Sequence, residues 1–210
     1  MNNRRNAFGT LLLARHGETE WNLTGRIMGH KDSQVTAKGL SKIRICADML
    51  KNHGVSRIVS SPLGRAALSA CLYSEILSIP LYFNPNLCEL SAGAWQGKFR
   101  RELSSDDRPF RATWSDRPPN GESYADAEDR AALFLQAMLS YHRDSVLVIG
   151  HAGINKVILK IRLNLKPDDA IKLMFPHEFI YRIDPSDQVM LLDPDNSDGK
   201  IISLNPCHGA

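Results

Sequence analysis

Three short stretches carry residue types suited to work on an anion. Arg15, His16 and Gly17 follow an apolar run, Thr10–Ala14, of strand length. Arg65 lies just beyond Ser60, Ser61 and Pro62, behind a second apolar run, and His151 follows Ser145–Gly150, the clearest buried-strand pattern in the chain. Guanidinium forks bind phosphate oxygens in pairs, and a neutral imidazole can attack phosphorus. The arginine charges disfavour imidazolium, which helps keep His16 a nucleophile near neutral pH. A helix opening at Pro62 would add backbone N–H donors to the same anion. Taken singly, each residue has a plainer reading: a strand-end histidine as a structural hydrogen-bonder, an arginine as a solvated surface charge. A metal site is the chemical alternative, with His16, His30, His151, Glu18, Asp32 and Glu89 as available ligands. No HxH or HxxxH pair accompanies them, and Arg15 would oppose a cation next to His16.

These side chains meet only if the elements before them run alongside one another. Thr10–Ala14, Val55–Ser61, Leu81–Phe83 and Ser145–Gly150 read as strands. Between them, Thr36 reads as the N-cap of an amphipathic helix with Leu40, Ile43, Ala47 and Leu50 on its apolar face, ending near Asn52–Gly54. A second helix carries Arg65 in its opening turn and runs to about Ser78. Ser123 with Asp126 resembles a capping box opening a long helix to about His142, and another helix follows His151 to about Leu163. Phe179–Ile183, Val189–Leu192 and Ile201–Leu204, separated by Asp, Pro and Gly, read as edge strands or a hairpin. Strand–helix alternation predicts an α/β fold, a three-layer α/β/α sandwich with a mostly parallel sheet. Ligands of such sheets bind outside the carboxyl ends of the strands, where all three reactive stretches fall.

Composition sets the outer limits. A chain of 210 residues, 43% hydrophobic and 23% charged, suits one globular domain spanning 1–210. Residues 1–9 read as a flexible lead-in without the apolar core of a secretory signal. About 92–121, rich in Gly, Pro and charge, reads as a small helical lid. The formal charge of +3 is too small to point to nucleic acid, and no apolar run is long enough to span a membrane. Cys46, Cys71, Cys88 and Cys207 show no metal spacing and read as reduced thiols of a cytoplasmic protein.

Arg15-His16-Gly17-Glu18-Thr19, with Asn22 beyond it, resembles the signature of the histidine phosphatase superfamily, which includes the phosphoglycerate mutases. Further segments resemble that family in its own order: Ser60–Ala66, Glu89–Gly97, Pro119-Asn120-Gly121-Glu122-Ser123 and Gly150–Gly153. The resemblance implies that His16 becomes a phosphohistidine and that Arg15, Asn22, Arg65 and His151 hold the phosphoryl oxygens. It also implies that Glu89 protonates the leaving oxygen and then activates water. Gly29 matches a backbone position near the phosphate, and neither a metal nor a cofactor is required.

The resemblance leaves two activities open. Like the mutases, the chain has Gly93-Ala94 and Gln96-Gly97; unlike them, it has Ala92 for a tyrosine, a shorter insertion before the Pro119 turn, and His151-Ala152-Gly153 for His-Gly-Asn. It is most similar to the short bacterial phosphatases, broad-specificity and α-ribazole enzymes among them. The expectation is therefore metal-independent hydrolysis of a small phosphorylated metabolite. Phosphoglycerate mutase activity is the alternative, with protein phosphatase and non-catalytic phosphate-binding readings behind it. In the lid, Lys98, Arg100, Arg101, Arg108, Arg111 and Arg117, set against Glu102, Asp106, Asp107 and Asp116, form either a second anion contact or a solvated mixed-charge surface. Trp95, Phe99, Phe110 and Trp114 suit core packing more than stacking on substrate. The apolar edge-like strands near the C-terminus leave room for a homodimer.

Overall fold

The computed structural model describes residues 9–103, 111–141 and 143–202. Its strands are β1 (Thr10–Arg15), β2 (Arg57–Ser60), β3 (Leu81–Phe83), β4 (Ser145–Gly150), β5 (Ile180–Ile183), β6 (Val189–Asp193) and β7 (Asn196–Ile202). They form one sheet in the order β3-β2-β4-β1-β5-β6-β7. The first four in that order are mutually parallel, and β5, β6 and β7 add antiparallel pairings at the far side. The expected α/β sandwich is observed, with its parallel part at the centre and a mixed sheet overall.

The helices are α1 (Glu20–Thr24), α2 (Ala37–Leu50), α3 (Gly64–Leu77), α4 (Glu128–Met138), α5 (Ala152–Leu163) and α6 (Pro167–Ala170). Strand alternation divides the core between two helical layers. Leu12, Ala14, Ile58, Leu147 and Ile149 pack with α2 and α3 through Ile43, Ala47, Ala66, Ala70 and Tyr73. Leu11, Leu13, Val59, Val146 and Val148 face the opposite way, onto Phe134, Leu135, Ile154, Val157 and Ile158 of α4 and α5. Because both faces of β1 and β4 are covered, their sequences are apolar throughout rather than alternating.

Several local expectations need correction. Thr36 does cap α2, its hydroxyl accepting from the Gly39 N–H at 2.9 Å. Pro62, however, lies before the N-cap of α3, which is Leu63, and is not in the first turn. Ser123 and Asp126 make their reciprocal hydrogen bonds, with Asp126 N–H to Ser123 Oγ at 3.1 Å and Ser123 N–H to Asp126 Oδ2 at 2.7 Å. That box closes the turn before α4, whose N-cap is Ala127; after Met138 the chain tightens into a 3-10 helix at Leu139–Tyr141. His142 lies outside the described residues. α1 is a helix that the sequence reading does not assign. Thr19 and Asn22 form its capping box, and Gly25 ends it at φ 71°, a left-handed conformation that glycine adopts without strain.

In the excursion after β3, short 3-10 helices stand at Pro85–Leu87, Gly93–Trp95 and Arg100–Glu102. Ile27, Ala92, Trp95 and Leu103 form a small core of their own, and the Phe99 ring lies under both Arg26 and Arg101. Trp114 is buried against Tyr124. Asp106, Asp107, Arg108 and Phe110 fall outside the described residues. Cys46, Cys71 and Cys88 are free thiols, and Cys207 is likewise outside the described range. Among the described residues no helix is long and apolar enough to cross a membrane.

Candidate active site

Strand register brings the reactive residues together. Arg15 pairs with Gly150 across β1 and β4, and Ser60 with Ile149 across β2 and β4. The residues that follow, His16, His151 and Ser61, therefore leave the sheet side by side at its carboxyl edge. The His16 N–H donates to Gly150 O at 3.0 Å, continuing the β1–β4 ladder into the site, and the two imidazole centroids are 5.1 Å apart.

The orientation of His16 is set by its surroundings. A carbonyl can only accept, so the 2.8 Å contact between His16 Nδ1 and Gly17 O places the proton on Nδ1 and the lone pair on Nε2. The ring is buried. Burial first, and then the nearby His151, Arg15 and Arg65, hold it well below the ordinary histidine range, so it is neutral at physiological pH. The charge argument from sequence had the right direction, but burial is the larger cause. His151 is also fully buried and held low, by burial and then by Arg65 and Arg15. Its Nε2 lies 2.9 Å from Ser61 Oγ.

The two arginines are fixed by backbone acceptors. Arg15 donates through Nη1 to Phe175 O at 3.1 Å; burial lowers it to about 10, still cationic at neutral pH. Arg65 donates to Lys31 O, to Asp32 Oδ1 and to Gly29 O at 2.8–2.9 Å. Gly29 thus serves the site by holding Arg65. Its φ of 55° favours glycine, and an added Cβ would sit 2.7 Å from the Ala92 nitrogen. Asn22 accepts from Thr19 N–H and Thr19 Oγ at 3.0–3.1 Å, which commits its Oδ1 and keeps its Nδ2 hydrogens for donation.

One expectation about anion donors is overturned. The first N–H groups of α3 are already taken by an internal carboxylate: Gly64 N–H donates to Asp32 Oδ2 at 2.7 Å and Arg65 N–H to Asp32 Oδ1 at 3.2 Å. Asp32 therefore belongs to the site as a helix cap and arginine partner. Glu89 makes a parallel arrangement at the N-terminus of α5, accepting from Leu90, Gly153 and Ile154 N–H at 2.9–3.2 Å. Among the described residues no three His, Cys, Asp or Glu side chains group as metal ligands.

Arg15, His16, Asn22, Gly29, Arg65 and Glu89 line one cavity of about 510 Å³. Arg26, Arg100, Arg111 and Lys156 also line it, with apolar Ile27, Met174 and Phe175, and Glu89 is the one acidic lining residue among the described residues. Of the lid cations, Arg111 is pinned to Ser91 O and Glu122 O, and Arg117 pairs with Asp126. His177 was missed altogether. It sits after an unremarkable Pro176, with no motif around it, yet its Nδ1 is 2.6 Å from His16 O and its ring 5.2 Å from the His16 ring. Asn155 was missed as well. It is fully buried on α5, one turn beyond His151, and donates to Ala14 O at 3.1 Å.

Residues 11–193 match the model of the histidine phosphatase superfamily (branch 1). The chain belongs to that superfamily. A probable phosphoglycerate mutase of Proteus mirabilis is 30% identical over 178 residues, 82% of this chain and 83% of the relative. The adenosylcobalamin/alpha-ribazole phosphatase of Salmonella typhimurium is 28% identical over 155 residues, 71% of this chain and 77% of that one. Among solved structures, the alpha-ribazole phosphatase from Shigella flexneri has a TM-score of 0.74 at 25% identity and covers 83% of this chain and 90% of its own. This histidine phosphatase is accordingly an enzyme of the phosphoric monoester hydrolase class.

Proposed function

We propose that the chain hydrolyses a small phosphorylated metabolite through a phosphohistidine on His16, without a metal or cofactor. The observation that carries this reading is the state of His16: neutral, with Nε2 left as the lone-pair nitrogen, beside Arg15, the buried Arg65 and a buried second histidine. Among the described residues, Arg15 Nε, Arg65 Nε and His151 Nδ1 are buried with no partner in the protein, and phosphoryl oxygens would supply acceptors there. In the first step His16 Nε2 bonds to phosphorus while the ester P–O bond breaks. The electron pair stays on the leaving oxygen, which takes a proton from Glu89. In the second, water attacks phosphorus, its proton passes to Glu89, and the P–N bond breaks to release phosphate and restore His16. Arg15, Asn22, Arg65 and His151 hold the oxygens through both steps, the electrostatic work that dominates phosphoryl transfer.

The further cations lining the cavity favour a leaving group with a second negative charge, and the three free thiols fit a reducing, cytoplasmic setting. Hydrolysis of p-nitrophenyl phosphate in EDTA, with loss of at least ~10³-fold in His16→Ala, is the expected result, on the scale set by removing a covalent nucleophile. Full activity in His16→Ala would overturn the reading. Mutase chemistry is the second reading, favoured by the Proteus mirabilis relative. It predicts that 3-phosphoglycerate, given a bisphosphate primer, is isomerised faster than it is dephosphorylated; release of phosphate alone excludes it.

A further inference from the structure

We infer that His177 is a positioning residue for the nucleophile, acting through the backbone of His16; the inference rests on His16 being the phosphorylated group. The His16–Gly17 peptide is held at both ends. Its carbonyl meets His177 Nδ1 at 2.6 Å, and its N–H donates to Ser69 Oγ at 2.9 Å. Ser69 is itself fixed, its hydroxyl donating to Arg65 O at 2.7 Å. With that peptide plane set, Gly17 O is placed to receive the Nδ1 proton of His16 at 2.8 Å, and Nε2 is aimed by consequence. An attacking nitrogen must arrive in line with the breaking bond, so small errors in its direction are costly to the rate.

His177 is not an isolated neighbour. It ends the Met174–His177 segment leading into β5, and the same segment supplies Phe175 O to the Arg15 guanidinium. The two adjacent residues Arg15 and His16 are therefore both held by one stretch, which also walls the substrate cavity through Met174, Phe175 and Pro176. Because a carbonyl cannot donate, His177 must carry its proton on Nδ1 to make this bond. Burial, and then Arg15, lower it to about 4, so the ring stays neutral at working pH and donates without placing a charge beside His16.

The test compares two substitutions in single-turnover phosphorylation of the full-length chain by p-nitrophenyl phosphate. Asparagine places its Nδ2 where the histidine Nδ1 stood and keeps a donor; leucine fills the space without one. His177→Leu should slow formation of the His16 phosphoenzyme about tenfold at unchanged KM, while His177→Asn stays within about twofold of the parent. Equal loss in both variants, or full activity in His177→Leu, overturns the inference. Nitrogen-15 NMR of histidine-labelled parent protein gives a readout independent of any variant's folding. A neutral Nδ1–H tautomer for His177 between pH 5 and 8 is expected, and an Nε2–H tautomer refutes it. His16→Ala separates the two levels: if it stays active the phosphohistidine reading fails, whereas an inactive His16→Ala beside a fully active His177→Leu removes only the role of His177.

Discussion

Lowering the pH from about 7.5 to about 5.5 should destabilise the native chain. His16, His151 and His177 are all held below the ordinary histidine range, primarily by burial. In the unfolded chain each binds a proton with a pKa near 6.5, so between that value and the lower native one the unfolded state carries more protons. Stability is therefore full above about pH 7 and falls as pH drops through 6.5 toward the native values, about 4 for His177. From pH 7.5 to 5.5 the three imidazoles together cost about 4 kcal/mol, a large part of the 5–15 kcal/mol typical of a domain. His53, lowered by burial and Arg182, acts in the same direction. Asp116, Asp126 and Asp184 are held below 3.8 and lose their contributions only at more acid pH, outside this window. With a urea slope of about 2 kcal/mol/M, the unfolding midpoint should fall by about 2 M between the two pH values in phosphate-free buffer. His177→Asn should recover about a third of the drop. A midpoint that moves by less than about 0.5 M would mean that these rings are not held neutral together, and the argument for a neutral nucleophile would lose its footing.

Asp32→Ala removes both the cap of α3 and a carboxylate bonded to Arg65. It should cost about 1–2 kcal/mol in thermal unfolding and weaken competitive inhibition by inorganic phosphate about tenfold. Gly153→Ala would drive a Cβ into Glu89 Oε1, at the movable end of that side chain. We expect kcat to drop about a hundredfold with stability changed by less than about 1 kcal/mol, read from steady-state kinetics beside a melting curve.

What could be read in the sequence divides along physical lines. β3 and β4 were placed to the residue, and β1 to within one, because an apolar run with a sharp polar end has few other interpretations. The convergence of Arg15, His16, Arg65 and His151 followed from the parallel order of three strands. Long-range side-chain partners left no local trace. Asp32 figured in the sequence only as an available metal ligand, because the helix it caps begins 32 residues later. His177 lies 161 residues from the carbonyl it holds, and Asn155 sits on a helical face where its burial, not its spacing, gives it a task. β7 begins at Asn196 in a run of Asn, Ser, Asp and Gly that carries no strand propensity, so the expected start at Ile201 came late.

The pairing of β1 with β4 also dictates when the enzyme can come into being. Both edges of β1 are rows of backbone N–H and C=O groups awaiting partners, one partner being residues 145–150 and the other β5 still further on. Contacts this distant in sequence form slowly, because a long loop must close before any of them is gained. During synthesis the first strand therefore waits unpaired while most of the polypeptide is made. Premature release before Gly150 leaves a fragment with Arg15 and His16 but no site, and with a bare β-edge open to other chains. Assembly of the candidate site and completion of the central sheet are one event, so a chaperone that shields β1 until β4 emerges would raise the yield of active enzyme more than one acting after release.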